Sequence, residues 1–185
     1  MFVDLVGSTK MSMTLPGDKL VTIIRAFSHE MSSAVESYDG FVLKYVGDAV
    51  IAFFPTGFNK YLTCDKAVRC AESMITAVST RLNPILSQYD YPALKLKIGI
   101  DEGENVVVQY GYDRSSQLDI LGYTMNVTAK ITSITGPNKI SIGENVYKLL
   151  HTTTQERFEI VSNLGNDWKY VAPHMEEIYK VYTSK

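Results

Sequence analysis

Apolar residues recur along this chain at two spacings, and the switches between them mark out the elements. Phe2-Val3-Asp4-Leu5-Val6 is a short apolar strand holding one acid, followed at once by Gly7-Ser8-Thr9. Met11 to Gly17 reads as a loop closed by Pro16-Gly17. From Asp18, a fair N-cap, the apolar positions Leu20, Ile23, Ile24, Phe27, Met31, Val35 and Tyr38 predict a helix ended by Asp39-Gly40. Phe41 to Phe54 alternates on both sides of Gly47-Asp48, which predicts strand, tight turn and strand. Thr63 then caps a second helix through Ala67, Val68, Ala71, Ile75, Val78 and Leu82, and Asn83-Pro84 breaks it.

Leu94, Leu96, Ile98 and Ile100 have the period of a strand, with Lys95, Lys97 and Gly99 facing away. Asp101 to Glu104 turns, Asn105 to Tyr110 returns as a strand, and Gly111 to Gln117 is hairpin-like. Leu118 to Leu121 resumes the sheet. Met125 to Ser133 is a helix ended by Gly136-Pro137, Lys139 to Ile142 a strand, and Gly143 to Leu150 a short helix. Phe158 to Val161 and Ile178 to Tyr182 are late strands. The fold class is therefore α+β: a ferredoxin-like βαββαβ core with a central antiparallel sheet, helices packed on it and extra C-terminal strands. That topology sets the first strand beside the first hairpin, so Asp4 and Asp48 end close together.

At 185 residues the chain is one domain, 1–185, with room for a proper core. A net charge of -2 gives no general attraction to nucleic acid or anionic membrane, so phosphate binding must be local. No apolar run approaches a membrane span, and the expected setting is the cytoplasm or the cytoplasmic domain of a longer protein. Met1 stands so close ahead of Asp4 that an excised domain is the expectation. Cys64 and Cys70, six apart, read as separate reduced thiols. His29, His151 and His174 share no spacing for a metal site or a triad. Trp168 reads as packing.

The candidate chemistry sits at two acids. Asp48 tips a hairpin whose turn Gly47 permits, and a carboxylate there is costly unless a positive group meets it. Asp4 precedes Gly7, Ser8 and Thr9, whose free N–H groups and hydroxyls suit phosphate oxygens. Two Asp on neighbouring strands make a pair of bridges for Mg²⁺, a hard cation that takes a few carboxylates plus substrate phosphates.

Four blocks then resemble, in family order, the catalytic domain of class III nucleotidyl cyclases, the adenylate and guanylate cyclase family. They are Phe2 to Thr9, Gly40 to Ala49, Leu96-Lys97-Ile98-Gly99-Ile100, and Leu118 to Lys130 with Asn126 inside it. The resemblance implies a homodimer with its sites at the interface, one chain giving metal ligands and its partner base and sugar contacts. It implies that Asp4, Leu5 and Asp48 hold two divalent cations, Mg or Mn, that activate the ribose 3′-hydroxyl and hold the triphosphate. The implied reaction is in-line attack at the α-phosphorus, giving a 3′,5′-cyclic nucleotide and pyrophosphate.

Base choice in that family falls on the positions of Lys44 and Asp119, which here read as in adenylate cyclases, so ATP is the expected substrate. Lys donates to the adenine ring nitrogen and Asp accepts from the exocyclic amine. Guanine would leave buried groups unpaired at roughly 1–3 kcal/mol each. Asn126 matches the ribose-orienting asparagine. Lys130 stands where the family has a transition-state Arg and cannot make the bidentate fork to phosphate, which predicts slow turnover. Lys169 is the nearest candidate for the triphosphate lysine. Tyr45 and Tyr123 flank the base pocket, more as core than as ligand contacts. Val106 to Leu118 reads as the dimer arm. Alternatives are a catalytically weakened or inactive nucleotide-binding regulatory homologue, or a cyclase using GTP or a pyrimidine, against which Lys44 and Asp119 argue.

Overall fold

A computed structural model describes residues 1–112, 116–165, 168–171 and 177–185. The first strand, β1 (Phe2–Leu5), buries Val3 and Leu5 on one face and turns Phe2 and Asp4 to the other. The chain then enters α1 (Ser8–Thr14), where a loop is expected from sequence, and α2 (Gly17–Ser37). Helix α1 buries no residue, so no apolar stripe announces it. In α2, Ile23, Phe27, Met31 and Val35 face the sheet, as their spacing predicts, although Asp18 lies inside the first turn and Pro16 takes the cap position. Strands β2 (Phe41–Val46) and β3 (Ala49–Phe53) form the expected hairpin, with Gly47 at φ 60° in its turn.

Helix α3 (Lys60–Ala77) starts three residues before Thr63. Its cap is Asn59, whose side chain accepts from the Leu62 N–H at 3.0 Å. Asn83-Pro84 does not end the helical run. A π turn at Val78–Leu82 leads directly into α4 (Asn83–Ser87), which carries Pro84 in its first turn, where a missing N–H costs nothing. Next come β4 (Leu96–Ile100), β5 (Val106–Tyr110), β6 (Gln117–Leu121) and α5 (Tyr123–Ile134). The chain finishes with β7 (Lys139–Gly143), α6 (Glu144–Leu149), α7 (Thr152–Gln155), β8 (Phe158–Ile160) and β9 (Val181–Ser184).

Among the described residues seven strands form one sheet, in the order β2-β3-β1-β4-β7-β9-β8. Its first four are antiparallel neighbours in ferredoxin-like order, and β7 adds parallel to β4. Strands β5 and β6 do not resume that sheet; they pair only with each other as a separate ribbon. Within the expected arm the ribbon leaves Val106, Val107, Tyr110 and Leu118 exposed, while residues 113–115 lie outside the described set. One sheet face packs on α2 and α3, burying Val3, Leu5, Leu96, Ile98 and Ile100. The other face receives α5. A Cβ at Gly99 would lie 2.8 Å from the Thr132 backbone nitrogen and 2.9 Å from the Thr128 carbonyl. Glycine there lets the helix sit directly on β4.

Cys64 and Cys70 are both buried and unbonded, and burial pushes each thiol up to about 12. Trp168 is buried, donating from Nε1 to the Tyr179 carbonyl at 3.0 Å, a packing role as expected. His151 caps α7, and His174 lies outside the described residues.

Candidate active site

Antiparallel pairing of β1 with β3 sets Phe2 opposite Ile51 and Val3 opposite Val50. Continued one step, that register brings Asp4 level with Ala49, the neighbour of Asp48. The two carboxyl groups meet there. Burial first, and then the charge of Asp48, hold the Asp4 carboxyl above the usual carboxylate range. Lys97 opposes both effects from β4, its Nζ 3.4 Å from Asp4 Oδ2. Asp48 Oδ2 is buried and accepts no hydrogen bond from any described residue.

A buried carboxylate oxygen without a donor is rare, and a cation is what relieves it. Among the described residues no third acid, His or Cys joins the pair. Two carboxylates completed by substrate phosphates are a common way to bind Mg²⁺, so these residues fit a divalent cation. Leu5 has its side chain in the core and offers such an ion only its backbone carbonyl. Gly7, at φ 78°, turns the chain so that Ser8 and Thr9 begin α1 just beyond the acids.

The second group lies on other elements. A bulge in β2 shifts its register between Val42 and Lys44 and puts Lys44, not Leu43, opposite Ile51. Lys44 Nζ then reaches Asp119 Oδ2 on β6 at 2.6 Å, while Asp119 Oδ1 accepts from the Ile120 N–H at 2.8 Å. The lysine's hydrogen bond is the main reason the Asp119 carboxyl sits below its ordinary range. Side-chain exposures of 39% and 20% leave both groups reachable from solvent.

Lys44 and Asp119 line a cavity of about 480 Å³, together with Phe2, Val46, Ile51, Leu121, Met125 and Asn126. Asn126 therefore lines the same cavity as Lys44 and Asp119. Lys130, one turn further along α5, does not line that cavity, and its ammonium has no described partner. Lys169 is exposed and likewise meets none of the other site residues.

Neither expected tyrosine is core. Tyr45 is half exposed with its hydroxyl 2.6 Å from Ser32 Oγ, and Tyr123 donates to the Val171 carbonyl at 2.7 Å. A larger cavity of about 590 Å³, between α3 and the ends of β3 and β4, contains none of the expected site residues. It includes Asp101, whose carboxyl is pushed up to about 7 by burial, against the hydrogen bond it accepts from Tyr179 at 2.7 Å. No sequence signal set Asp101 apart from its turn.

The family model described as "Adenylate and Guanylate cyclase catalytic domain" matches residues 1–179. A cytidylate cyclase of Staphylococcus aureus is 30% identical over 90% of this chain, and the chain spans 41% of that relative. A uridylate cyclase of Burkholderia cepacia is 30% identical over 76% of this chain and 61% of its own length. Among solved structures, the adenylyl cyclase CyaB from P. aeruginosa superposes with a TM-score of 0.80 at 22% identity, covering 100% of this chain and 91% of that one. The fold is shared, and the names attached to it span three bases.

Proposed function

The chain belongs to the adenylate and guanylate cyclase catalytic domain family, and within it we propose an adenylate cyclase that converts ATP to 3′,5′-cyclic AMP and pyrophosphate. The observation that carries this is the Lys44–Asp119 pair in the wall of the cavity that also holds Asn126. Adenine presents a ring-nitrogen acceptor beside an amine donor. Lys44 donates to the first and Asp119 accepts from the second, so both charges keep a partner when the ion pair opens. Guanine and uracil present the opposite edge, an N–H beside a carbonyl, and leave both residues unpaired.

Asn126 orients the ribose, and Lys130 supplies a point charge toward the triphosphate. The Asp4–Asp48 pair carries two divalent cations from the other subunit of a homodimer. Bound there, such ions supply charge stabilisation and a more acidic 3′-hydroxyl. Ser8, Thr9 and Lys169 are the further phosphate contacts of this reading. Residues 1–185 act as a single catalytic unit in the cytoplasm, or on the cytoplasmic side of a longer protein.

A second reading changes the base to cytosine. Its edge carries the same acceptor beside the same amine, so Lys44 and Asp119 argue against uracil but not against cytosine. The relative that matches 90% of this chain is a cytidylate cyclase, which favours this reading.

Purified protein with Mn²⁺ and each of the four nucleoside triphosphates decides between them. Cyclic AMP as the main product is expected. Cyclic CMP in its place moves the assignment to the second reading, and no cyclic product from any substrate removes both.

A further inference from the structure

Tyr123 belongs to neither the carboxylate pair nor the base cavity, yet it shares a helix face with Asn126 and Lys130. On α5 the residues Thr124, Val127, Thr128, Ile131 and Thr132 are buried, and Tyr123, Asn126 and Lys130 fall together on the other side. The Tyr123 hydroxyl donates to the Val171 carbonyl at 2.7 Å, and its ring meets Tyr170 edge-on with centroids 6.0 Å apart. Tyr170 in turn packs edge-on against Trp168 at 5.1 Å. These contacts bracket Lys169. Trp168 is buried and bonded to the Tyr179 carbonyl, Tyr170 accepts from the Tyr179 N–H at 2.9 Å, and Val171 bridges to Ile178. The backbone is held on both sides of Lys169, while its side chain is exposed.

We propose that Tyr123 is a positioning residue that sets the register of Lys169 against α5, so that Lys169 and Lys130 serve one triphosphate together. The inference rests on the reading of both lysines as phosphate contacts. Trp168 also packs with Val127 and Ile131 of α5, but apolar packing is non-directional and lets a segment slide. A hydrogen bond weakens steeply with angle, and among the described residues the Tyr123 hydroxyl makes the one that joins residues 168–171 to α5. Neither lysine can fork across two oxygens, so each depends on where its backbone puts it. With that backbone held beforehand, only the side chain has to be ordered when phosphate binds. A contact made equally to bound substrate and to the transition state shows in KM and not in kcat.

The test is binding of inorganic tripolyphosphate to the purified full chain in a fixed excess of Mn²⁺, read by calorimetry. It is run for wild type, Tyr123→Phe, Lys169→Met and the double variant, beside steady-state kinetics on the triphosphate that wild type turns over best. Lys169→Met is expected to weaken tripolyphosphate binding on the order of tenfold, as loss of a charged hydrogen bond does. Tyr123→Phe keeps the ring and loses the tie; it is expected to weaken binding about threefold and to raise KM by as much, with kcat little changed. The double variant is expected to bind as Lys169→Met does, because a residue acting through Lys169 has nothing left to position. A tyrosine that only stabilised the end of α5 would, as Phe, lower the melting temperature and leave KM and tripolyphosphate affinity where they are.

Wild-type affinity in Tyr123→Phe, or a further loss when it is added to Lys169→Met, overturns the role of Tyr123 and leaves Lys169 a phosphate contact. If wild type does not bind tripolyphosphate, or Lys169→Met binds it equally well, the reading of Lys169 itself falls, and this inference falls with it.

Discussion

Around Asp4 and Asp48, two carboxylates face each other, and among the described residues one buried oxygen has no donor and one lysine reaches the pair at 3.4 Å. Around Lys44 and Asp119, one cation and one anion meet at 2.6 Å with a backbone N–H completing the carboxylate. The first region is left short of positive charge and the second is closed on itself. A site that must receive cations gains by staying unsatisfied, because relief comes only with the ion. A site that must read a neutral base gains by a stored pair, since opening it loses nothing when the base returns both hydrogen bonds. On the proposed reading, the same residue types therefore do opposite work in the two halves.

The sharpest way to break this comparison is Asp48→Asn. Cyclase activity is expected to fall at least about a thousandfold, the several kcal/mol that bound ions supply to a phosphoryl transition state. Melting without metal is expected to hold or rise, since the substitution removes one of two repelling charges. A fall in both would mean that the acids are merely structural. Next in size, Asp119→Ala leaves Lys44 unpaired and removes the acceptor for the base amine. The preference for amino over oxo bases is expected to drop roughly 10- to 100-fold, read as kcat/KM ratios over the four triphosphates, matching 1–3 kcal/mol for a lost buried partner.

Lys130→Arg sharpens the picture from the phosphate side. A planar fork replaces a point charge, and kcat is expected to rise by up to about tenfold with KM little changed. A smaller effect separates a frustrated acid from a satisfied one. Asp101 is partly buried, but it accepts from Tyr179 and from the Glu102 N–H, and its carboxyl is pushed up to about 7 from an ordinary 3.8. The folded state holds the proton more tightly, so this contribution to stability is complete below about pH 4 and is lost as pH rises through 7. Asp101→Asn keeps the acceptor oxygen and is expected to flatten the fall in melting temperature over that window. Asp4, raised by burial and by Asp48, leaves part of the slope behind. A mutant with the wild-type slope would count against the burial of Asp101.

Much of the fold was legible because its signals are local. The stripe of α2, the hairpin around Gly47 and the alternation of β4 each follow from spacing that a single element imposes on itself. Where the reading failed, a local signal was weak or had two outcomes. Helix α1 buries nothing, so its residues carry no stripe. Asn59 and Thr63 are both competent caps, and only the start of α3 chooses between them. Pro84 breaks a helix interior but suits a first turn, and the π turn before it makes the difference.

By itself, the sequence determined the element order, the strand that carries Asp4, the turn that carries Asp48 and the residue types available for chemistry, since each depends on neighbours a few residues away. Tertiary structure alone decided which charges face each other. Lys44 meets Asp119 because a bulge and a separate ribbon bring β2 to β6, and Lys97 meets Asp4 because β4 pairs with β1 in one register and not the next. Such contacts join residues 75 and 93 positions apart. Coulomb energy depends on distance in space, and distance along the chain does not fix it.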